Sequence, residues 1–357
     1  VDELKSPVPA FGHNNRPVAR ETWSCAWAPD SSYFAWSCGD KIVRLIPWDR
    51  INGRLSKRSR QYSGETEESL SSQIENHDAQ EEDRSESNRR SVFVIDCKEN
   101  VWSVAFGSGT SKDYWRHQWR RFEFDTSLVL ATGLQTGKIK LWNCVTGNLM
   151  LELLDHKDVV RSLNFCPNGN LNLASASCDG TLKLWDLDDD GNMYKTLRPG
   201  SKWIFSCRWS HDGKMLVATG ANKLVAVYHT NDLSVCRKLQ GHNHDVVSCE
   251  FSPDSAMLAT ASFDTRIIIW DPHTGDILKE LGHLFPPPRL IFAGGANDHY
   301  IRGISFSCDG LQLCSVCDDS YLRVWHLDDV TDPICVAQHN NALCCAFSPN
   351  GHRISVG

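Results

Sequence analysis

The sequence of 357 residues predicts an all-β protein, a seven-bladed β-propeller whose last blade is incomplete in this chain. The first observation behind this prediction is a landmark, an aromatic residue followed by a turn, whose shorter spacings are 41 to 44 residues. The second is that apolar residues between the landmarks alternate with the period of a β-strand. A repeat of about 40 residues with several short strands is typical of one propeller blade. The landmark aromatics are Trp27, Phe106, Phe165, Trp209, Phe251, Phe306 and Phe347.

The individual units have the chemistry of antiparallel strands. In "TLKLWD" (residues 181–186) and "RIIIWD" (residues 266–271) the apolar side chains alternate, and the flanking turns hold Asp, Gly, Ser and Asn. One blade cannot bury both faces of its sheet alone, so we expect the units to close into a single ring over residues 1–357. The run "FVIDC" (residues 93–97) is expected to form the outer strand of the first blade.

Two units share a set of histidine, serine, aspartate and tryptophan. Serine, histidine and aspartate are also the members of a hydrolase triad. Other units replace members of the set, with Asn222 and Tyr228 in the fourth unit and Cys317 in the sixth. A triad has no reason to recur in register, so no catalytic residue is predicted. The two sets are His156, Ser177, Asp179 and Trp185, and His242, Ser262, Asp264 and Trp270.

The Gly-His…Trp-Asp pattern of these units resembles that of WD-repeat propellers. In that family the four residues form a hydrogen-bonded chain that ties the loop between blades to the inner strands. The resemblance implies the same structural role here. Each bond of such a chain contributes about 0.5–1.5 kcal/mol, and more is lost when one member is left unpaired.

The composition argues against several classes of protein and partner. A net charge of -7 gives no electrostatic reason to expect nucleic acid or an anionic membrane as the partner. No apolar run approaches the roughly 20 residues that cross a bilayer, and the N-terminus lacks the features of a signal peptide. Most of the 15 cysteines lie in strand-like runs, and the Cys314–Cys317 spacing has no second ligand pair for zinc. We expect no metal, no cofactor and a reducing intracellular location, cytoplasmic or nuclear.

Three insertions are predicted between the repeats. Residues 50–91 are acidic and polar, with too little apolar area to bury for an ordered structure. We therefore expect a disordered loop there, with a partner-binding segment as the alternative. Residues 107–125 hold interleaved aromatics and arginines, which favour a flap at the edge of a blade, with RNA binding as the alternative. Residues 282–300 are rich in proline and glycine, which favours an extended segment and a turn.

The last insertion, "GHLFPPPRLIFAGGANDHY", gives the sequence a more specific likeness. Together with "SYFAWSCGDKIVRLIPW", "DDGNM" and "LCCAFS", it closely resembles the WD-repeat and SOCS-box-containing protein family over nearly the whole chain. Members of that family are substrate receptors of cullin-type ubiquitin ligases. The resemblance implies a propeller that captures target proteins without catalysis. A protein-interaction scaffold unrelated to ubiquitin is the alternative.

The same resemblance implies partners beyond the captured proteins. In the family, a C-terminal SOCS box recruits elongin B, elongin C and a cullin. This chain ends at "FSPNGHRISVG", midway through its seventh unit, so we expect those three partners to bind through a SOCS box that is absent from this chain.

Captured proteins are expected at the rim of the ring, where the loops that enter the inner strands meet. Aromatic residues and arginine carry most of the binding energy of protein interfaces. For Trp23 and Trp102, packing between blades is the alternative. The candidate rim residues are Trp23, Trp102, Arg161, Trp203, His244, Phe263 and Tyr300.

Overall fold

The computed structural model describes ten stretches of the chain. These stretches are residues 22–38, 41–49, 54–55, 93–109, 128–187, 189–282, 300–328, 332–338, 342–351 and 353–357. The three predicted insertions lie almost wholly outside them, so their conformation stays a prediction. Every regular element in the described residues is a β-strand, and none of these stretches contains a helix that could span a membrane.

Six sheets of four or five antiparallel strands form full blades, as the alternation of apolar residues predicts. Blade one holds β1 (Cys25–Trp27), β2 (Tyr33–Cys38), β3 (Ile42–Asp49), β4 (Arg54–Leu55) and β5 (Phe93–Asp96). Blade two holds β6 (Val101–Gly107), β7 (Val129–Leu134), β8 (Ile139–Asn143) and β9 (Leu149–Leu153). Blade three holds β10 (Val160–Phe165), β11 (Asn172–Ser177), β12 (Leu182–Asp186) and β13 (Asn192–Leu197).

The next three blades repeat this order. Blade four holds β14 (Ile204–Trp209), β15 (Met215–Gly220), β16 (Leu224–His229) and β17 (Val235–Lys238). Blade five holds β18 (Val246–Phe251), β19 (Leu258–Ser262), β20 (Arg266–Trp270) and β21 (Ile277–Gly282). Blade six holds β22 (Ile301–Phe306), β23 (Gln312–Cys317), β24 (Tyr321–His326) and β25 (Ile334–Ala337). In blade one, β5 pairs with β3, so the predicted outer strand at "FVIDC" is present.

The described residues form six full blades, whereas the sequence predicts seven blades with the last one incomplete. At the seventh position, the described residues supply only β26 (Cys345–Phe347) and β27 (Ile354–Val356), paired as a two-stranded sheet. The innermost strands nevertheless form a closed series, because β26 contacts both β22 and β1. The indole Nε1 of Trp27 donates to Ser355 Oγ across this junction at 3.2 Å. The ring is therefore closed at its centre.

The hydrophobic cores lie between neighbouring blades. Trp185 of blade three, for example, packs with Val129 and Leu141 of blade two in one buried cluster. Trp185 and Trp270 are the largest fully buried side chains among the described residues. Because each core needs both neighbours, closing the ring is what removes the apolar faces of the blades from water.

Candidate binding site at the channel mouth

The two histidine sets form the predicted hydrogen-bonded chains, with one change of member. In blade three, His156 Nδ1 lies 2.8 Å from Asp179 Oδ2 and its Nε2 lies 2.7 Å from Ser175 Oγ. Trp185 Nε1 donates to the same Ser175 hydroxyl at 2.8 Å. This hydrogen-bonded network joins the loop before β10 to strands β11 and β12 of the same blade.

Blade five repeats the arrangement with threonine in place of serine. His242 Nδ1 lies 3.0 Å from Asp264 Oδ2, and its Nε2 lies 2.7 Å from Thr260 Oγ1. Trp270 Nε1 donates to Thr260 at 2.8 Å. Burial alone would raise the pKa of Asp264, but the hydrogen bond and charge of His242, with Asn243 and Arg266, hold it at about 2. The carboxylate is therefore ionised at neutral pH.

The assignment of Ser177 and Ser262 to these chains is wrong. Ser177 Oγ donates to the Asp158 carbonyl at 2.9 Å and accepts from the Asp179 N–H at 3.1 Å, so it fixes the turn. Ser262 Oγ donates in the same way to the His244 carbonyl, at 3.2 Å. Alternate residues of a strand share one face, so the hydroxyl two positions earlier faces the same side. That earlier position lies within reach of both rings, whereas Ser177 and Ser262 lie at the ends of their strands.

The geometry of the chains is not that of a nucleophilic site. Ser175 and Thr260 are fully buried, and the hydroxyl of each already bonds an indole and an imidazole. A nucleophile must be reachable by its substrate. Blades two and six keep the tryptophan–hydroxyl bond, from Trp142 to Thr132 at 3.0 Å and from Trp325 to Ser315 at 2.9 Å. The recurrence of this bond in four blades fits a structural role.

The inner strands surround a central cavity of about 500 Å³. At its mouth, each inner strand or the segment just before it presents one partly buried residue, four positions before the landmark aromatic. We call these residues the mouth ring. All of its members line the cavity, which makes the mouth a surface assembled from every blade. The mouth ring is Trp23, Trp102, Arg161, Phe205, Val247, Arg302 and Leu343.

One cluster of rim residues gathers on blades one to four. The rings of Trp23 and Trp102 lie 3.9 Å apart, centroid to centroid, at 49°. The Arg161 guanidinium lies 4.5 Å above the Trp102 ring and 5.8 Å from the Phe205 ring. Trp203 lies 6.3 Å from Phe205 and is 39% exposed. Trp23 and Trp102 are partly buried and line the channel, so they are not members of the cores between blades.

A second cluster gathers on blades five and six. Phe263 and Tyr300 lie 4.7 Å apart, and His244 lies 5.9 Å from Phe263. The Arg302 guanidinium lies 5.1 Å from the Phe263 ring. Arg302 also donates twice to the Asp318 carboxylate, at 2.8 and 2.7 Å. The seven candidate residues thus lie at one end of the channel, in two clusters.

Four members of the mouth ring were not predicted from the sequence, namely Phe205, Val247, Arg302 and Leu343. The signal was present, because Trp23, Trp102 and Arg161 already stand four residues before a landmark aromatic. Applying this offset to every unit gives the complete mouth ring. Trp203, His244, Phe263 and Tyr300 lie in the loops outside that register and form the outer part of the rim.

The charge of the channel wall is mostly positive. Its described lining holds Arg161, Arg208 and Arg302 against a single acid, Glu250. Burial raises the pKa of Glu250 to about 7, although Arg208 and the hydrogen bonds from Phe306 and Ser305 oppose the rise. The described residues contain no cluster of His, Cys, Asp and Glu arranged to hold a metal ion. The channel is therefore a cationic, aromatic-rimmed opening.

Comparison with known proteins supports the repeat pattern directly. The WD domain, G-beta repeat family matches residues 5–48, 147–186, 191–229, 233–271 and 288–326. The chain is 47% identical to WD repeat and SOCS box-containing protein 1 of Homo sapiens over 362 residues, which cover 100% of this chain and 83% of that protein. The proteins of the same name from Mus musculus and Xenopus tropicalis are 46% and 45% identical, with the same coverage. The chain therefore belongs to the WD-repeat family and, within it, to the WD repeat and SOCS box-containing proteins.

Proposed function

We propose that this chain is the non-catalytic, substrate-recognition part of an elongin–cullin–SOCS-box E3 ubiquitin ligase. The propeller captures target proteins, here called clients, and a SOCS box in the complete protein binds elongin B, elongin C and a cullin. The observation that carries the proposal is the aromatic and arginine-rich mouth on a propeller whose relatives are named for their SOCS box.

The chemistry of the rim supports protein capture. Interface residues that contribute most to binding are enriched in tryptophan, tyrosine and arginine and cluster at the centre of the contact. The rim combines Trp203, which is 39% exposed, with Phe263, Tyr300 and Arg302 across the channel. A client segment laid over the mouth would contact both clusters at once.

The cysteines support an intracellular location, cytoplasmic or nuclear. All 15 cysteines are free thiols, and seven of them are buried among the apolar residues of the blades. Proteins of oxidising compartments usually pair their cysteines, whereas reducing compartments keep them as thiols.

The proposal can be tested with the full-length protein expressed in cells. The Trp203→Ala, Phe263→Ala double variant is compared with a matched control, Val235→Ala, Ile277→Ala, which shortens two exposed apolar side chains on outer strands. Co-captured clients, their ubiquitination and co-captured elongin C are measured together. We expect the rim variant to weaken client capture by more than about 1 kcal/mol, or about five-fold, with elongin C unchanged.

Two results would contradict the proposal in different ways. Unchanged client capture by the rim variant would move the capture surface to another face of the ring. Absence of elongin C from the full-length protein would remove the ligase assignment and favour a scaffold unrelated to ubiquitin.

A further inference from the structure

Two arginines occupy equivalent places in the mouth ring. Arg161 in β10 and Arg302 in β22 are each the second residue of an inner strand, and each lies over aromatic rings. Blades three and six lie on opposite sides of the channel, so the two guanidinium groups approach the same opening from opposite sides. Their surroundings differ in the aromatic rings and, more importantly for charge, in the presence of an acid beside Arg302 alone.

Arg302 is neutralised within the chain. Its guanidinium makes two hydrogen bonds to Asp318, at 2.8 and 2.7 Å, in the bidentate geometry that arginine forms best with carboxylates. Asp318 is placed by its own backbone, since its N–H donates to the Tyr300 carbonyl at 3.1 Å. The backbone of the acid is thus fixed against Tyr300, two residues before the arginine in the sequence.

The same point of blade three holds a thiol. The Cys178 N–H donates to the Val159 carbonyl at 2.9 Å. This bond is equivalent to the one that places Asp318 in blade six. Burial raises the pKa of the Cys178 thiol, although Arg161 opposes the rise, so the thiol is uncharged at neutral pH. Among the described residues, no hydrogen bond or ion pair satisfies the Arg161 guanidinium.

The neighbourhood of Arg161 is short of acceptors in general. The indole Nε1 of Trp102, whose ring lies under the guanidinium, is buried and lacks a hydrogen-bond partner in the described part of the chain. Burial lowers the pKa of Arg161, and the positive charge of Arg302 lowers it further, yet a guanidinium stays protonated in proteins. A partly buried cation without a counter-charge is costly to the free protein and is well prepared to bind an anion.

We propose that Arg161 binds an anionic side chain of the captured protein, a carboxylate or a phosphate, which takes the place beside Arg161 that Asp318 fills beside Arg302. The rings of Trp102 and Phe205 hold the guanidinium in position and exclude water from one side of it. The inference rests on the proposed function, since it specifies the chemistry of a client at the same mouth.

The test uses short peptide pools that are identical except for one fixed position, which holds glutamate, phosphoserine, glutamine or serine. Binding to the purified full-length protein is measured by fluorescence anisotropy at two salt concentrations. We expect the glutamate or phosphoserine pool to bind about ten-fold tighter than its neutral counterpart, and this preference to shrink with salt. Comparison of the two acidic pools distinguishes a carboxylate from a phosphate.

Four variants locate the preference. Arg161→Gln is expected to erase it, and Cys178→Asp is expected to erase it as well, by supplying the missing acid from within the chain. Cys178→Asn, which has the same shape without the charge, should keep the preference. Lys202→Gln, which removes an exposed positive charge 4.7 Å from Trp203 on the same face, should also keep it. A preference that survives Arg161→Gln, or one that is absent from the wild type, would overturn the inference.

The outcomes also separate this inference from the proposed function. If clients bind the mouth equally well in wild type and Arg161→Gln, capture stands and the anion site is wrong. If the rim variants described above leave capture intact, the capture surface itself is misplaced. Preferential binding of a single-stranded RNA oligonucleotide over every peptide pool would contradict both.

Discussion

Asp264→Ala removes a carboxylate that four donors share in blade five. Its Oδ2 accepts from His242 at 3.0 Å, from the Asn243 N–H at 2.7 Å and from the Arg266 guanidinium at 3.1 Å. Its Oδ1 accepts from the Arg266 N–H at 3.0 Å. The residue is 1% exposed, so water cannot replace it without rearrangement of the loop.

The cost follows from which donors lose every partner. Asn243 is exposed and its N–H can turn to water, while the Arg266 guanidinium keeps the Gly241 carbonyl and Glu280. The His242 ring nitrogen and the buried Arg266 N–H are left without an acceptor. An orphaned buried donor costs about 1–3 kcal/mol, so we expect the free energy of unfolding to fall by about 3 kcal/mol.

Thermal unfolding, followed by intrinsic tryptophan fluorescence, measures this loss. For a domain of this size about 3 kcal/mol corresponds to a fall of about 5 °C in the unfolding midpoint. The matched control is Asp276→Ala, an exposed acid on the following turn, for which we expect a change within about 0.5 kcal/mol. Equal midpoints for Asp264→Ala and wild type would refute the structural role of the hydrogen-bonded network in blade five.

The remaining predictions concern protonation and single contacts. Because the pKa of Asp264 is held at about 2, below its unfolded value of about 3.9, its contribution to stability is full above about pH 4 and is lost as the pH falls towards 2. Acid titration of the unfolding midpoint should therefore be flatter in Asp264→Asn, and equal slopes would contradict this. Ser175→Ala should destabilise the fold by about 2 kcal/mol. Ser175→Thr should be tolerated, because the Thr260 hydroxyl forms the equivalent bonds to imidazole and indole in blade five. Thr265 has a φ of 69° and a buried hydroxyl that no described residue satisfies, so Thr265→Gly should stabilise by about 1 kcal/mol in urea unfolding. Burial raises the pKa of Glu250 to about 7, so wild-type stability falls as pH rises from about 4 to 7. The unfolding midpoint of Glu250→Gln should therefore exceed that of the wild type by more at about pH 8 than at about pH 5.

Much of the fold could be predicted from the sequence because each unit carries its own signals. The landmark aromatics and the alternating apolar residues mark the inner and middle strands, and the structure confirms an all-β WD-repeat propeller. The number of full blades could not be predicted from the landmarks. Phe347 marks a seventh inner strand, but the described residues form a sheet of two strands there, since a landmark reports one strand and not a whole blade.

The site could be predicted only in part, for two physical reasons. Ser175 and Ser177 lie on the same face of one strand, so a pattern of residue types does not distinguish which hydroxyl meets Trp185. The difference between Arg161 and Arg302 depends on whether Cys178 or Asp318 faces them across a loop. The sequence gives both residues, but their pairing follows from the register of the blade.

The capture of clients at the channel mouth is tested most directly by site-specific photo-crosslinking in cells. A photoreactive phenylalanine analogue replaces Val247, an apolar member of the mouth ring, and in a second protein replaces Val235, which is 50% exposed on an outer strand. We predict crosslinks from position 247 to proteins whose ubiquitination depends on the full-length protein, and none to those proteins from position 235. Crosslinks to the same clients from position 235 alone would contradict the account.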